Sequence, residues 1–536
     1  MKAFASILLA LLCISVLSQT GGATIRHVPL QYATIQAAIN AAVNGDTVLV
    51  DEGTYKENIV LTKKITVGSA FVLDGDTSHI SRTIIDGSQP HNQDSTAVVT
   101  IDGATDTTTV VAGFTITGGK GNQRTIDYPP FVTAYRGGIG IDIAGGGARI
   151  HHNIVRANNY TDPTGYIGGA IEVFDTKDKN GVTYAIIEHN TIADNTLVGD
   201  EVDGGAFAIG HNAAIRNNLI ARNSAHGSTL GIGGGLQIWN GSVIVEANMI
   251  MDNSASHDGG GLYAVSVQEL GVVPHLVMVN NIFMGNAAGA SGGGVFVTEN
   301  DVAVMMLNNT FTSNTAVSGG SGISIQNGAI VRGLNTILWD TAGTEILTSS
   351  LGSLVASHCD IHGDFTGTGN IDADPVFVSG DPMFNLDKKS PCIGRGIDSA
   401  QLGGVWCYAP AYDYDGDARH RPVGPQQSDI GAQEEQGIVD VREGHDGVPT
   451  QFALCQNYPN PFNPSTTIKF ELPRASQVSL SVFDILGREV SVLVNDLRYA
   501  GVHEVKFDGS NLASGVYFYR LQAGTYVETR KFILMK

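Results

Sequence analysis

A pattern repeated along the middle of the chain constrains its fold more than any other feature of the sequence. Each copy has two adjacent glycines, or a close variant, followed by residues of which every second one is apolar. The first apolar residue after the glycines recurs at Ile139, Ile171, Phe207, Leu236, Leu262, Val295 and Ile323, with 26 to 36 residues from one to the next. Self-similarity at such a period is typical of solenoids, in which each repeat forms one coil of a stack.

A second pattern follows each glycine pair. It consists of an asparagine, an apolar residue two positions later and another asparagine three positions after that. The copies begin at Asn153, Asn190, Asn218, Asn248, Asn281 and Asn309, and a seventh begins at Asn335 and ends in Asp340. Asparagine tolerates the left-handed backbone conformation that a tight corner needs, so we expect these residues at corners. Stacked amide side chains also hydrogen-bond along a column, which predicts an asparagine ladder.

The apolar stretches between these markers are two to five residues long and alternate with period two, which predicts short strands rather than helices. A single repeat has too little apolar surface to bury its own strands. Coils stacked one strand spacing apart, ~4.8 Å, bury them together inside one cylinder. The repeat therefore predicts a parallel β-solenoid.

The repeats cover roughly residues 137–340 and resemble those of right-handed parallel β-helices in the pectate-lyase-like superfamily and of autotransporter-like bacterial surface proteins. The resemblance implies an all-β chain with a β-helix domain over residues 24–435. The apolar stripe that follows Thr34 is similar to the cap helix that opens pectinesterase-like β-helices, where it covers the unpaired edge of the first coil. Residues 357–435 are similar to the closing segment of such surface proteins.

The end of the chain carries a different pattern. Residues 436–451 are polar and glycine-containing, which is typical of a linker. Residues 452–536 begin with the proline-rich run Gln456–Thr466 and continue as short alternating strands, which predicts a small immunoglobulin-like β-sandwich. This segment closely resembles the type A sorting domain of the type IX secretion system. The resemblance implies that residues 452–536 contact the secretion machinery and that the protein is released or attached at the outer surface of a Gram-negative-type bacterium.

The beginning of the chain and its charge agree with export. Residues 1–23 have a basic start, a short apolar run and small residues, as in a cleaved signal peptide, and no later segment reads as a transmembrane helix. The net charge of −21 argues against nucleic acid as a partner. After removal of the signal peptide four cysteines remain, and we expect a disulfide among Cys359, Cys392 and Cys407, because these three share one segment.

The candidate catalytic residues come from charges on neighbouring coils and are Asp200, Asp203, Arg222, Asp252, His257 and Asp258. Paired carboxylates serve glycoside hydrolysis, and a basic residue beside calcium-bound carboxylates serves a uronate lyase. The alternative is a ladder of surface ion pairs, Asp194–Arg222–Asp252, without catalytic purpose. The segments before the glycine pairs are long in early coils (159–167, 196–203, 224–232) and short later. We expect the long ones to be loops that form a wall beside a shelf, and a groove for a ligand between them.

A second cluster, Asp413, Asp415 and Asp417, has the carboxylates that Ca²⁺ prefers and is the candidate metal site. The alternative is a turn in which Arg419 pairs with a carboxylate. No other cofactor is expected. Two functions remain open: a secreted or surface protein that binds extracellular glycans or acts in adhesion, and a polysaccharide lyase or glycoside hydrolase acting on acidic polysaccharide. The sequence leaves the ligand undecided.

Overall fold

The computed structural model describes residues 23–90, 95–103, 105–128, 131–174, 184–239, 241–266, 275–299, 302–340, 343–349, 351–381, 383–419, 428–435 and, with short gaps, 452–534. It divides into two compact units, Met1–Gln436 and Gly437–Lys536. Residues 1–22 of the predicted signal peptide and the predicted linker, 436–451, lie outside the described residues.

The first unit is a parallel β-helix whose coils contribute strands to four sheets, here called A to D. Sheet A contains Ile25–Val28, Thr47–Val50, Thr66–Ser69, Val110–Ala112, Gly147–His151, Tyr184–Glu188, Asn212–Arg216, Ser242–Glu246, His275–Val279, Ala303–Leu307, Ile330–Leu334 and Ser353–Ser357. Sheet B contains Gly53–Tyr55, Thr83–Asp86, Thr115–Thr117, Ile154–Arg156, Thr191–Ala193, Leu219–Ala221, Met249–Met251, Ile282–Met284, Thr310–Thr312, Ile337–Trp339 and Asp360–Ile361.

Sheets C and D complete each coil. Sheet C contains Ile59–Leu61, Val99–Ile101, Ile141–Ile143, Ile171–Val173, Phe207–Ile209, Leu236–Ile238, Leu262–Ala264, Val295–Val297, Ile323–Ile325 and Ile346–Thr348. Sheet D contains Ser95–Thr96, Gly121–Tyr128, Phe131–Gly137, Tyr160–Ile167, Thr196–Asp203, Ser224–Ile232, Ser254–Ala255, Ala287–Ala288 and Thr315–Ala316. The register is parallel from coil to coil, except that Gly121–Tyr128 pairs antiparallel with both of its neighbours.

The interior of the cylinder is one continuous apolar core that runs from Val28 to Ile361. Short helices cover its first coils: α1 (Ile35–Ala41), α2 (Phe71–Asp74) and α3 (Ser78–Arg82). In α1 the Thr34 side chain accepts a hydrogen bond from the Ala37 amide and caps the helix. The predicted all-β fold, with a parallel β-helix at its centre, is confirmed.

The asparagine ladder is confirmed, but the predicted backbone of the corners is wrong. The Asn248 amide N–H donates to Asn281 Oδ1 at 3.0 Å, and the Asn218 N–H donates to Asn248 Oδ1 at 3.0 Å. The left-handed residue is in most copies the one before each ladder asparagine. For the first asparagine of a copy these residues are His152, His189, Asn217, Ala247, Asn280 and Asn308. Hydrogen bonds to the next coil hold the side-chain amides of the ladder asparagines inside the stack. The residue before each ladder asparagine therefore adopts the left-handed conformation of the corner.

The long segments of sheet D correct a second prediction. Residues 159–167, 196–203 and 224–232 were expected to be loops, whereas Tyr160–Ile167, Thr196–Asp203 and Ser224–Ile232 are strands that pair in parallel register. Register shifts interrupt the pairing at Asp162/Tyr166 and at Gly199/Glu201. Segments of similar length on neighbouring coils pair through backbone hydrogen bonds and so form a sheet. Inspection of each repeat by itself does not reveal this pairing.

The expected disulfide is also absent from the described residues, where Cys359, Cys392 and Cys407 form no disulfide bond. The Cys392 thiol instead donates to Asp360 Oδ2 at 3.0 Å. Cys359, Cys392 and Cys407 are each buried in the packing of the last coils and the closing segment. Sharing a segment of the chain does not bring two sulfur atoms into bonding geometry.

The second unit contains two antiparallel sheets. One contains Ala453–Leu454, Ser465–Leu472 and Gly501–Asp508, and the other contains Ser476–Phe483, Glu489–Arg498, Gly515–Ala523 and Tyr526–Leu534. Their apolar faces form a separate core in which Phe470, Tyr519 and Phe532 are fully buried. The predicted small C-terminal β-sandwich is confirmed.

Candidate functional site

The candidate site lies on the outer surface of sheet C. Each of its strands is three residues long, so the first and third side chains enter the core and the middle one points away from it. The parallel register places these middle residues above one another in a line that we call the outward row. The outward row consists of Asp142, Glu172, Ala208, Gln237, Tyr263, Phe296 and Ser324.

The first end of the row is covered by the antiparallel hairpin of sheet D. Arg124 on this hairpin donates from Nη2 to both carboxylate oxygens of Asp142 at 2.5 Å, and Asn122 donates to Asp142 Oδ2 at 2.5 Å. Arg124 Nη1 also donates to the Phe174 carbonyl oxygen at 3.0 Å. Asp142 is fully buried and is therefore held by a charged and a neutral donor, as a buried carboxylate requires.

Glu172, the next acidic residue of the row, is in a different situation. Its side chain is fully buried, and the Tyr135 hydroxyl is at most a single hydrogen-bond partner for its two carboxylate oxygens among the described residues. Burial raises the pKa of Glu172 to about 8, which favours the protonated carboxyl group at neutral pH. A Cβ at Gly137 would lie 1.7 Å from Glu172 Oε2, so only glycine there leaves room for the carboxyl group.

A group of aromatic rings packs beside this carboxyl group, which acts electrostatically on Tyr135 and Tyr166. Tyr135 packs edge-on against Tyr166 and Phe174, with ring centroids 5.9 and 6.4 Å apart, and Phe174 packs edge-on against Trp239 at 5.4 Å. We call Tyr135, Tyr166, Phe174 and Trp239 the aromatic cluster. The Tyr135 hydroxyl interacts with the Glu172 carboxyl group, and the Gln237 Oε1 atom is buried without a hydrogen-bond partner in the described part of the chain. Polar side chains along the row thus have unused hydrogen-bonding capacity.

Asp203, a residue singled out from the sequence, flanks the row from the end of its strand in sheet D. It is 4% exposed and accepts a hydrogen bond from the Tyr166 hydroxyl. Burial raises the pKa of Asp203 to about 7, although the bond from Tyr166 opposes the rise. Asp258 occupies the corresponding position two coils further on, and burial raises its pKa too. Both carboxylates act electrostatically on Tyr263 in the row.

The structure does not bring the other predicted residues to this place. Asp200 lies on the solvent side of sheet D, where it accepts bonds from Ser228 Oγ at 2.8 Å and Thr229 Oγ1 at 2.5 Å. His257 Nδ1 lies 3.2 Å from both the Gly231 amide nitrogen and Ser256 Oγ.

Arg222 and Asp252 are left-handed corner residues of neighbouring coils. Arg222 pairs with Asp194 at 2.7 Å, and both side chains are about half exposed. This geometry is the one expected of a ladder of surface ion pairs. Exposed pairs of this kind contribute ~1 kcal/mol or less to the free energy of unfolding. A catalytic role for these residues stays a prediction.

One carboxylate of the predicted calcium site, that of Asp413, is engaged by the backbone. Asp413 accepts from the Asp417 amide at 2.8 Å and from the Glu434 amide at 2.9 Å. Arg419 pairs with Glu434 at 3.0 Å rather than with a member of the aspartate cluster. No group of three metal-ligating side chains is assembled in the described residues. Calcium binding at Asp413, Asp415 and Asp417 stays a prediction.

Comparison with known families decides what the two units are. Residues 139–333 match the family model of the right-handed β-helix region, and residues 456–535 match that of the secretion system C-terminal sorting domain. The chain contains a right-handed β-helix region and a type IX sorting domain. No curated protein and no solved structure matches it. The sorting domain makes the β-helix protein a secreted or cell-surface protein and implies contact with the secretion machinery. No helix in the described residues has the length and hydropathy to cross a membrane.

The raised pKa values of the site predict a pH-dependent stability of the β-helix protein. An unfolded carboxyl group has a pKa near 4, so between about pH 4 and 8 Glu172 and Asp203 hold more protons in the folded protein than in the unfolded one. The free energy of unfolding contributed by these groups therefore falls as the pH rises through this window. Urea titrations measure the free energy of unfolding at each pH. We expect Asp203→Asn to reduce the loss of this free energy between pH 5 and 8 by about 2–4 kcal/mol. Asp200→Asn is the control, and an unchanged loss in Asp203→Asn would contradict the burial argument.

Proposed function

We propose that the β-helix of this secreted or cell-surface protein binds an extracellular polysaccharide along the outward row of sheet C. The observation that carries the proposal is the buried carboxyl group of Glu172, for which the Tyr135 hydroxyl is at most one hydrogen-bond partner among the described residues. A buried polar group without a partner costs about 1–3 kcal/mol of stability, so a native protein that retains one needs an explanation. A bound ligand that supplies hydrogen-bonding groups provides this explanation.

The chemistry of the row favours a sugar as that ligand. A carbohydrate presents hydroxyl groups that both donate and accept, which suits the Glu172 carboxyl, the Gln237 Oε1 atom and the Tyr135 hydroxyl together. Its C–H faces are apolar and suit the aromatic cluster. The row is buried from Asp142 to Gln237 and partly exposed at Tyr263. A chain that lies over Tyr263 would reach Gln237 and Glu172 only when the groups that cover these two side chains move aside.

Binding assays with matched variants test this proposal. We would titrate purified β-helix protein with soluble neutral and acidic polysaccharides and their oligosaccharides by calorimetry. Glu172→Met keeps the length of the side chain and removes the polar atoms, and we expect it to weaken binding at least tenfold. We also expect it to unfold at equal or higher urea concentration, because it removes an unsatisfied buried group. Asp200→Asn, an acidic position away from the row, should bind as the wild type does.

The combination of weaker binding with undiminished stability distinguishes a ligand site from a structural carboxyl group. Glu172→Met that is destabilised and binds normally would contradict the proposal. Wild-type protein that binds none of the polysaccharides would contradict it too.

A second candidate function, cleavage of the polysaccharide, is favoured by the raised pKa values of Glu172 and Asp203. A carboxyl group that is protonated at neutral pH suits the general acid of a glycoside hydrolase. A less perturbed carboxylate would then act as base or nucleophile. The same preparations would be assayed for released reducing ends. Activity in the wild type that falls about 100-fold or more in Glu172→Gln would identify an enzyme, and its absence leaves the binding function.

A further inference from the structure

A β-hairpin in the closing segment, Ser399–Leu402 paired with Val405–Tyr408, presents two different faces. Leu402 and Cys407 point inward and pack with Leu307 and Leu334 of sheet A. The Arg332 guanidinium donates from Nε to the Leu402 carbonyl oxygen at 3.1 Å. The hairpin is therefore held on the β-helix by apolar packing and a charged hydrogen bond, so its outer face is a rigid surface.

The outer face carries two large exposed aromatic side chains. Trp406 is 55% exposed and Tyr408 is 63% exposed, and their rings lie nearly parallel, with an interplanar angle of 24° and centroids 6.2 Å apart. The register places Gln401 opposite Trp406 and Ser399 opposite Tyr408. We call Ser399, Gln401, Trp406 and Tyr408 the platform. It combines two aromatic rings with a hydroxyl group and an amide and has no charged side chain.

We propose that the platform binds uncharged sugar units of a polysaccharide, at a surface separate from the outward row. Aromatic rings offer apolar faces to the C–H groups of a pyranose ring, and the polar neighbours in the pairing strand offer hydrogen bonds to its hydroxyl groups. The absence of charge from these four side chains matches a neutral ligand within a chain whose net charge is −21. The platform binds the polymer whether or not the outward row does.

The size of the platform favours a sugar over a protein partner. An aromatic side chain buries at most ~250 Å² of surface, so two such rings supply ~500 Å². A stable protein interface needs ~800 Å² from each partner. A ligand of a few sugar rings is covered by two aromatic side chains, whereas a protein would need further apolar surface around them.

A pull-down with insoluble neutral polysaccharides tests the platform. We would use full-length secreted protein with cellulose, chitin, mannan and a β-1,3-glucan, and compare wild type with the double variant Trp406→Ala, Tyr408→Ala. Tyr412→Ala is the matched control, because Tyr412 is an equally exposed tyrosine outside the platform, at 60% exposure. We expect the double variant to lose at least tenfold in affinity for a polymer that wild type and control bind. Matching soluble oligosaccharides should change the tryptophan fluorescence of the wild type.

Each outcome decides the matter. Equal binding by the double variant overturns the platform, as does a wild type that binds none of the polymers. Self-association of the wild type that disappears in the double variant, measured by sedimentation, assigns the platform to a protein interface and also overturns the proposal. Glu172→Met in the same assay separates the two sites. Loss of binding in Glu172→Met alone supports the outward row, and loss in the double variant alone supports the platform.

Discussion

Deletion of residues 452–536 is expected to stop the protein from reaching the medium or the cell surface while leaving its β-helix folded. The two units have separate apolar cores, so removal of the second leaves the first with its packing complete. The lost segment contains the sorting domain that the secretion machinery recognises. Immunoblots of medium, surface and periplasmic fractions would measure the effect, and we expect the truncated protein in the periplasm. Protease resistance and circular dichroism would show whether it is folded.

A point variant tests whether the folded sandwich, and not only its presence, is required. Phe532 is fully buried among aromatic rings, with centroid distances of 5.1 Å to Phe462 and 5.6 Å to Tyr519. Phe532→Ala costs about 3–5 kcal/mol, comparable to the whole stability of a small domain. We expect the exported amount of protein to fall in Phe532→Ala, whereas Trp406→Ala should be exported normally. Normal surface levels of the truncated protein would show that residues 452–536 are not needed for sorting.

Asn248→Leu is expected to lower the free energy of unfolding of the β-helix by about 3–5 kcal/mol. The Asn248 side chain donates from Nδ2 to the Ile215 carbonyl at 2.8 Å and to Asn281 Oδ1 at 3.0 Å. Its Oδ1 accepts from the amide and the side chain of Asn218 at 3.0 and 2.9 Å. Leucine makes none of these bonds and leaves buried partners on both neighbouring coils unsatisfied. Urea denaturation would measure the loss.

Asn217→Gly is the control for this variant. Asn217 is exposed and has a φ of 54°, so glycine adopts its backbone conformation without strain. We expect a change below about 1 kcal/mol, which would separate the ladder from the turn beside it. A loss in Asn217→Gly as large as that in Asn248→Leu would mean that the corner conformation and not the ladder stabilises the stack.

Only some residues of the candidate site could be recognised from the sequence, because the others occupy variable positions of the repeat or lie outside it. Asp203 stood out as a carboxylate beside a glycine pair, and the structure places it at the outward row. Glu172 occupies the middle of a strand whose counterparts in other coils are Ala208 and Gln237, so it resembled ordinary variation. A charged residue in the middle of a buried three-residue strand is the signal that would have identified it. Tyr135 and Arg124 had no such signal, because their hairpin lies outside the repeat.

The repeat by itself determined the coil, the parallel stacking and the amide ladder, because these depend on local periodicity and on copies that repeat in register. The C-terminal strands likewise determined the sorting domain. Only the tertiary structure decided that the long segments pair into sheet D and that its hairpin covers Asp142. It also decided that Glu172 loses contact with water there. Burial depends on which coils and hairpins pack together, and a carboxyl group acquires its altered pKa only when that packing removes solvent from it.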